Sequence, residues 1–247
     1  MIGTIINTIA ILIGGSLGLL FGARLPERLK TTIIAGMGLF TGAFGMKMFF
    51  KTENELIVLG ALLIGILLGE WWRIEERLQA LGQILEARFA PAKEESSPSQ
   101  SDFMRGFLTA SLIFCVGPLA ILGSIQDGLD GNYTTLAVKS VLDGFASIAF
   151  ASSLGVGVLF SALPIFVLQG GISLLTMQLA SLFTSQITPE MVGVTLTPYV
   201  NELTATGGVI LVGLAISSLL EIKKMRVGNF LPALIVAPLI VWILSLL

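Results

Sequence analysis

The chain has 247 residues, 54% hydrophobic and 12% charged, with a formal net charge of −2 and a mean hydropathy of +0.92. A soluble domain carries about 25% charged residues, so that class is excluded, and no basic patch resembles a nucleic-acid-binding surface. With no histidine and a single cysteine, Cys115, the chain can form neither an internal disulfide nor a Cys/His zinc cluster, and it lacks the commonest general base.

Apolar stretches at about 2–22, 30–50, 55–72, 103–125, 135–153, 156–184, 204–221 and 227–246 predict about eight transmembrane helices. Most approach the ~20 residues that cross a bilayer. The first has no basic residues ahead of it and reads as a retained helix, not a cleaved signal. Asn7 lies one turn inside it, where an amide can bond across helices. Gly14, Gly18 and Gly22 repeat every four residues, as do Gly38-Gly42 and Gly65-Gly69. Such stripes let backbones approach closely, within the bundle or between two copies of a homodimer.

Residues 71–90 differ. Ile74, Leu78, Leu81, Leu85 and Phe89 recur at helical spacing among Arg73, Glu75, Glu76, Arg77, Glu86 and Arg88. This pattern predicts an amphipathic helix along the membrane interface, anchored by Trp71 and Trp72, or packed on a partner copy. Residues 91–102, PAKEESSPSQSD, read as a flexible cytoplasmic linker between an N-terminal unit (1–90) and a C-terminal unit (103–247) of one membrane domain.

The next span contains Phe114-Cys115-Val116-Gly117-Pro118. Proline removes a backbone donor and clashes with the preceding turn, so the helix is expected to break there at mid-depth. In a membrane such a break is tolerated where it lines a cavity or finds another partner. Cys115 itself reads as a small buried apolar residue. The connection SIQDGLDGNYTT (124–135) is turn-rich and acidic: Asp127 and Asp130 are expected in a solvated loop, at most a cation-attracting mouth. Lys139 and Asp143 then stand four apart on one helix face. Asp143 is expected about 10 Å deep, at ~1.5 Å per residue, and Lys139 can be its partner. The pair reads as a gating ion pair or a proton-linked site, with Asp143 the protonatable or cation-binding group, because intramembrane ionisable residues usually line a pathway; the alternative is a structural pair with Lys139 snorkelling outward. Gln169, an amide that can donate and accept at mid-depth, stands beside Gly170-Gly171, which permit a backbone break or a close helix approach in the sixth span, as Pro164 permits a bend. Glu70, Asn201 and Glu202 are expected near helix ends, and Asn229 with Pro232 at the start of the last helix.

The basic residues test this layout. Arg24, Arg28, Lys30, Arg73, Arg77, Arg88, Lys93, Lys223, Lys224 and Arg226 all fall on one side of an eight-span chain, and Lys47 and Lys51 on the other. The positive-inside rule then places both termini outside the cytoplasm.

The two units show a candidate inverted repeat. GSLGLLFG (15–22) aligns with GPLAILG (117–123), and TTIIAGMGLFTGAF (31–44) with TTLAVKSVLDGFASIAF (134–150). Gly14-Gly15 would then be the counterpart of Gly117-Pro118. Inverted repeats with matching broken helices are the plan of many secondary transporters. A rival match, NELIVLGALLIG (54–65) with NELTATGGVILVG (201–213), relates spans that run the same way.

FCVGPLAILGSIQDGLDGN, KSVLDGFASIAFASSLGVGV, the mid-helix QGG, GNFLPALIVAP and the N-terminal GTIIN…GGSLGLLFG together resemble the uncharacterised bacterial membrane family that includes YqgA and YdfK. That resemblance implies a bacterial cytoplasmic-membrane protein of seven or eight helices. It brings no substrate and no catalytic residues.

The expected fold class is thus an all-α integral membrane bundle, some helices broken at mid-depth, plus one amphipathic interfacial helix. The expected function is a small secondary transporter or channel for an ion or small polar solute. Its pathway would use Asp143, Lys139, Gln169, Gly117, Pro118, Cys115, Gly14, Gly15 and Asn7. The alternative is a non-transporting scaffold or signalling partner, docking through 71–90 and the linker. No enzyme activity, metal or cofactor is expected, and the partners are the bilayer, the solute and a second copy.

Overall fold

The computed structural model describes residues 1–89, 102–182 and 189–246. All of the expected linker except Asp102, and the end of the sixth apolar stretch, lie outside the described residues. The helices are α1 (Ile2–Gly22), α2 (Glu27–Phe49), α3 (Glu55–Trp72), α4 (Ile74–Phe89), α5 (Asp102–Cys115), α6 (Pro118–Leu129), α7 (Thr134–Leu154), α8 (Gly157–Phe160), α9 (Ala162–Leu182), α10 (Pro189–Leu214) and α11 (Ala233–Leu244). A π-helical turn, Ala215–Leu219, extends α10, and a 3-10 turn, Val227–Phe230, precedes α11.

Among the described residues, seven helical segments are long and apolar enough to cross a bilayer, and α5 with α6 makes an eighth if counted as one bent span. The bend is 60° and falls at the expected break. Gly117 caps α6 with a φ of 156°, which a side chain would strain, and Pro118 is the first helical residue, where its missing N–H costs nothing. The second expected break does not occur. α9 runs unbroken through Gly170-Gly171. Each glycine costs about 1 kcal/mol of helix propensity relative to alanine, but in hydrocarbon an opened backbone hydrogen bond costs more, so the helix holds.

Four long pairings organise the bundle: α1 along α7, α2 along α10, α3 along α11 and α6 along α9. Glycines set the first three. A Cβ on Gly14, Gly18 or Gly22 would overlap backbone of Gly144, Ile148 or Ser152 on α7. Gly45 and Gly208 meet in the same way between α2 and α10, and Gly65 and Gly69 meet Ala233 and Asn229. Gly14 and Gly15 are therefore packing positions in a continuous α1, not a helix break. The candidate repeat would carry the α1–α7 interface onto one between α2 and the α5–α6 span. That is not among the principal packed pairs, since α2 lies on α10 instead.

Between these seams sit two apolar cores. Ile11, Phe114, Phe150 and Ile165 anchor one, and Leu112, Ile210, Leu214 and Leu234 the other.

α4 departs from α3 at Arg73, whose left-handed φ of 51° ends the span just after the exposed Trp71 and Trp72. Its apolar face, Leu78, Leu81 and Leu85, packs on Phe103, Met104 and Phe107 of α5. The amphipathic helix thus covers its own bundle, and that face is not free for a partner copy.

Polar contacts gather the loops at two ends. At one, Arg226 Nη1 meets Glu70 Oε2 at 3.0 Å and Arg105 Nε donates to the Ser218 carbonyl at 2.9 Å. At the other, Glu202 of α10 accepts from Thr52 Oγ1 at 2.6 Å and from the Glu53 and Asn54 backbone N–H groups at 2.8 and 3.2 Å.

Candidate functional site

The polar residues expected in the membrane converge from three helices. Lys139 and Asp143, one turn apart on α7, form an ion pair through Asp143 Oδ2. Asn7 of α1 donates from Nδ2 to the same oxygen at 3.0 Å and to Gln169 Oε1 of α9 at 3.2 Å. From α5, the ring of Phe114 lies 6.0 Å from Lys139 Nζ. All four polar residues are buried, Asn7 and Gln169 completely.

The α1–α7 pairing is what makes this meeting possible. The glycine seam at Gly14, Gly18 and Gly22 draws the helices together over one half of α1, and Asn7 then reaches Asp143 on the other half. The unbroken α9 sets Gln169 against Asn7. A Cβ on Gly170 would come 3.2 Å from the end of the Met1 side chain and into ordinary contact with Thr4, so α9 lies close to the start of α1 here.

The hydrogen-bond pattern fixes the amides. Turning Asn7 over would put its carbonyl against the carboxylate, and turning Gln169 over would set two NH₂ groups face to face. In the arrangement that satisfies both, Asn7 Oδ1 and Gln169 Nε2 have no partner. One is an acceptor and the other a donor, on two amides in contact with each other. Thr4 Oγ1 and Ser147 Oγ, one turn away along α1 and α7, are also buried without partners. Other hydroxyls in these helices, such as Thr8 and Ser140, bond the carbonyl four residues earlier.

The remaining expected residues are placed less uniformly. Cys115 ends α5, half-buried, within electrostatic reach of both Lys139 and Asp143. Gly117 and Pro118 form the bend next to it. Asp127 does not stand at a solvated mouth. It lies in the last turn of α6, buried, 3.1 Å from the Met1 amine and accepting the Gly3 N–H at 3.2 Å. It thereby meets the positive end of α1. Only Asp130 stays exposed, where it accepts from the Asn132 N–H at 3.0 Å. An apolar groove of about 270 Å³, lined by Thr8, Leu12, Leu159, Phe160, Leu163 and Phe166, lies between α1 and the α8–α9 span and borders none of the four polar residues.

Three features escaped the sequence reading. Phe114 was visible only as a neighbour of the break, not as a ring facing Lys139. Glu202 clamps the α2–α3 connection from inside α10. Asn229 accepts from the Glu75 N–H at 2.7 Å while Glu75 Oε2 accepts from the Gly228 N–H at 2.7 Å, a reciprocal clasp between α4 and the turn before α11.

A family described as a protein of unknown function, DUF554, matches residues 2–242. The chain belongs to the DUF554 family. Among its relatives, an uncharacterised membrane protein, YdfK, from Bacillus subtilis is 30% identical over 99% of this chain and 97% of its own length. An uncharacterised protein, YqgA, from Escherichia coli is 30% identical over 96% of this chain and 94% of its own. No solved structure matches significantly. This DUF554 chain is therefore a membrane protein, and its four-residue polar cluster lies between spans of the bundle.

Proposed function

We propose that this protein is a secondary transporter or channel of the bacterial inner membrane for an ion or small polar solute, and not an enzyme. Both termini would face away from the cytoplasm, with the Arg- and Lys-rich end inside. One observation carries the reading: an ion pair and two amides, buried between three spans, with one amide acceptor and one amide donor left over. A polar group in a membrane interior costs several kcal/mol unless it is satisfied. A helical bundle that needed only to pack would gain by replacing Asn7 and Gln169 with leucine. Intramembrane ionisable groups facing a bundle interior are characteristic of solute and ion routes. The 60° bend at Gly117-Pro118 ends α5 beside the cluster, and bends of this kind accompany transporter sites.

The test is uptake into vesicles reconstituted with the purified protein, using a panel of labelled cations, anions and small neutral solutes. Flux of one class should depend on the protein and fall in the combined Asp143→Asn, Lys139→Ala variant. Flux that is unchanged in that variant would make the pair a structural clamp and favour the scaffold reading.

A further inference from the structure

We infer that the species this site takes up is the proton, with Asp143 as its acceptor, a water held by Asn7 Oδ1 and Gln169 Nε2 as its donor, and the Phe114 ring as the resting place of the displaced Lys139 ammonium. The inference rests on the transport reading above and narrows it to one ion. It begins from charge. Lys139 and Asp143 sum to zero, and each is already in contact with the other. A metal cation needs a shell of about six oxygens. Here Asp143 Oδ2 is taken by an ammonium and by the Asn7 amide, and Gln169 Oε1 by that same amide, which leaves fewer oxygens than such a shell needs. An anion would meet the carboxylate beside the one cation of the cluster. A proton needs no shell, only a lone pair on Asp143 and a hydrogen-bonded route to it.

The leftover groups supply the route. Asn7 Oδ1 accepts and Gln169 Nε2 donates, so the two together can hold a molecule that does both, as water does. Thr4 Oγ1 lies one turn nearer the end of the bundle where Asp127 sits, and Ser147 Oγ one turn beyond Asp143; both are buried and without partners. Thr4, Asn7, Ser147 and Gln169 thus place four of the unpartnered groups on α1, α7 and α9; Ser153 near the end of α7, and Thr109, Ser111 and Thr206 on other helices, are unpartnered elsewhere in the bundle.

The step balances. A proton delivered through the water forms an O–H bond on the Asp143 carboxylate, and the water is left neutral. Lys139 keeps its proton and loses its counter-charge, so the site gains one positive charge. The ring face of Phe114, 6.0 Å from Lys139 Nζ, then offers that ammonium a second partner. Release reverses the step. The other titratable groups near Asp143 are few. α5 contributes Cys115 and α6 contributes Asp127, which is held by the Met1 amine; the α8 and α9 sequences contain no charged residue, and α2 carries its charges, Glu27, Arg28, Lys30 and Lys47, at its ends.

The experiment has two arms on full-length protein. In nanodiscs, pH-difference infrared spectra should contain a carboxylic-acid C=O band that is lost in Asp143→Asn and kept in Asp127→Asn. In vesicles with a trapped pH dye and an imposed membrane potential, wild-type protein should pass protons. Asp143→Asn should abolish that flux and Gln169→Leu should reduce it, with sodium, potassium and chloride fluxes the same in all three. If Asp143→Asn does not fold, Gln169→Leu, which leaves the ion pair intact, decides the matter: an undiminished proton flux overturns the inference. So does a titrating band that survives in folded Asp143→Asn, or a wild-type protein that moves no protons. If such a protein still moves another solute in an Asp143-dependent way, the transport reading stands and the proton assignment falls. If it moves nothing, both fall.

Discussion

Asn7 holds the cluster together. Its single NH₂ group serves the carboxylate of α7 and the amide of α9 at once, joining three helices that the chain separates by 136 and 162 residues. Lys139 and Asp143 were legible in advance, because a spacing of four on a helix lets two side chains meet without any knowledge of the fold. Asn7 and Gln169 could be singled out as polar residues in oil, but their meeting could not, since it depends on which helices touch. Removing one partner of a buried ion pair typically costs 3–5 kcal/mol, whereas replacing both with well-packed apolar residues is often neutral or better. Lys139→Ala alone should therefore lower the thermal unfolding midpoint of the detergent-solubilised protein markedly. The double variant Lys139→Met, Asp143→Leu should recover most of the loss. Additive losses would mean that the two charges do not act on each other.

Elements were read more accurately than their contacts. The eight apolar stretches, the amphipathic α4 and the break at Gly117-Pro118 follow from composition, periodicity and proline chemistry, all of which are local. Asp127 was misplaced because DGLDGN looks like a turn, yet α6 runs on to Leu129 and ends only before Gly131, whose φ of 74° suits a helix stop. Gly14 carries two expectations, a packing stripe with Gly18 and Gly22, which holds, and with Gly15 a counterpart of the Gly117-Pro118 break, which does not: a glycine pair looks the same in sequence whether it breaks a helix or seats one. The α1–α7 seam leaves no space for a larger residue, so Gly18→Leu should destabilise the fold by at least the ~1–3 kcal/mol of an overpacked core, whereas Gly36→Leu on α2, where a Cβ meets nothing and helix propensity improves, should not lower the melting temperature.

The clasp between α4 and the turn before α11 makes a prediction in pH. Burial pushes the Glu75 carboxyl up from its ordinary range, against the opposing pull of the Gly228 N–H, Gln79 and Arg226. A folded-state value above the unfolded one means that the native protein holds this proton more tightly. Its contribution favours the fold most at pH below the unfolded value and is lost as pH rises through the folded value. Glu75→Gln keeps an acceptor for Gly228 and removes the charge. It should flatten that part of the pH–stability curve and raise the melting temperature at neutral pH. Glu75→Ala, which discards the acceptor as well, should lower it throughout.

At the scale of the whole molecule, the span count and the charge distribution constrain each other. With α5–α6 as one crossing, the loops after α1, α3 and the π-helical turn share an end, and that end carries most of the arginine and lysine. The contacts between Glu70 and Arg226 and between Glu75 and Asn229 join those segments directly, so they cannot lie on opposite faces of a membrane. If α5–α6 instead turned back without crossing, α7 and every later helix would reverse relative to α3, and these contacts would break. Which end faces the cytoplasm rests on charge alone. The single native cysteine makes the test simple. In a Cys115→Ser background, Lys51→Cys and Lys223→Cys place thiols at exposed positions on opposite ends of the bundle. A membrane-impermeant maleimide applied from outside to bacterial cells expressing the protein, stripped to the membrane that holds it, should label position 51 if the charge-based orientation holds. It should reach position 223 only after the membrane is opened. The reverse pattern would turn the protein over and leave its architecture intact. Equal labelling of both before opening would break the eight-span count itself, and with it the placement of Asn7, Asp143 and Gln169 at a shared depth.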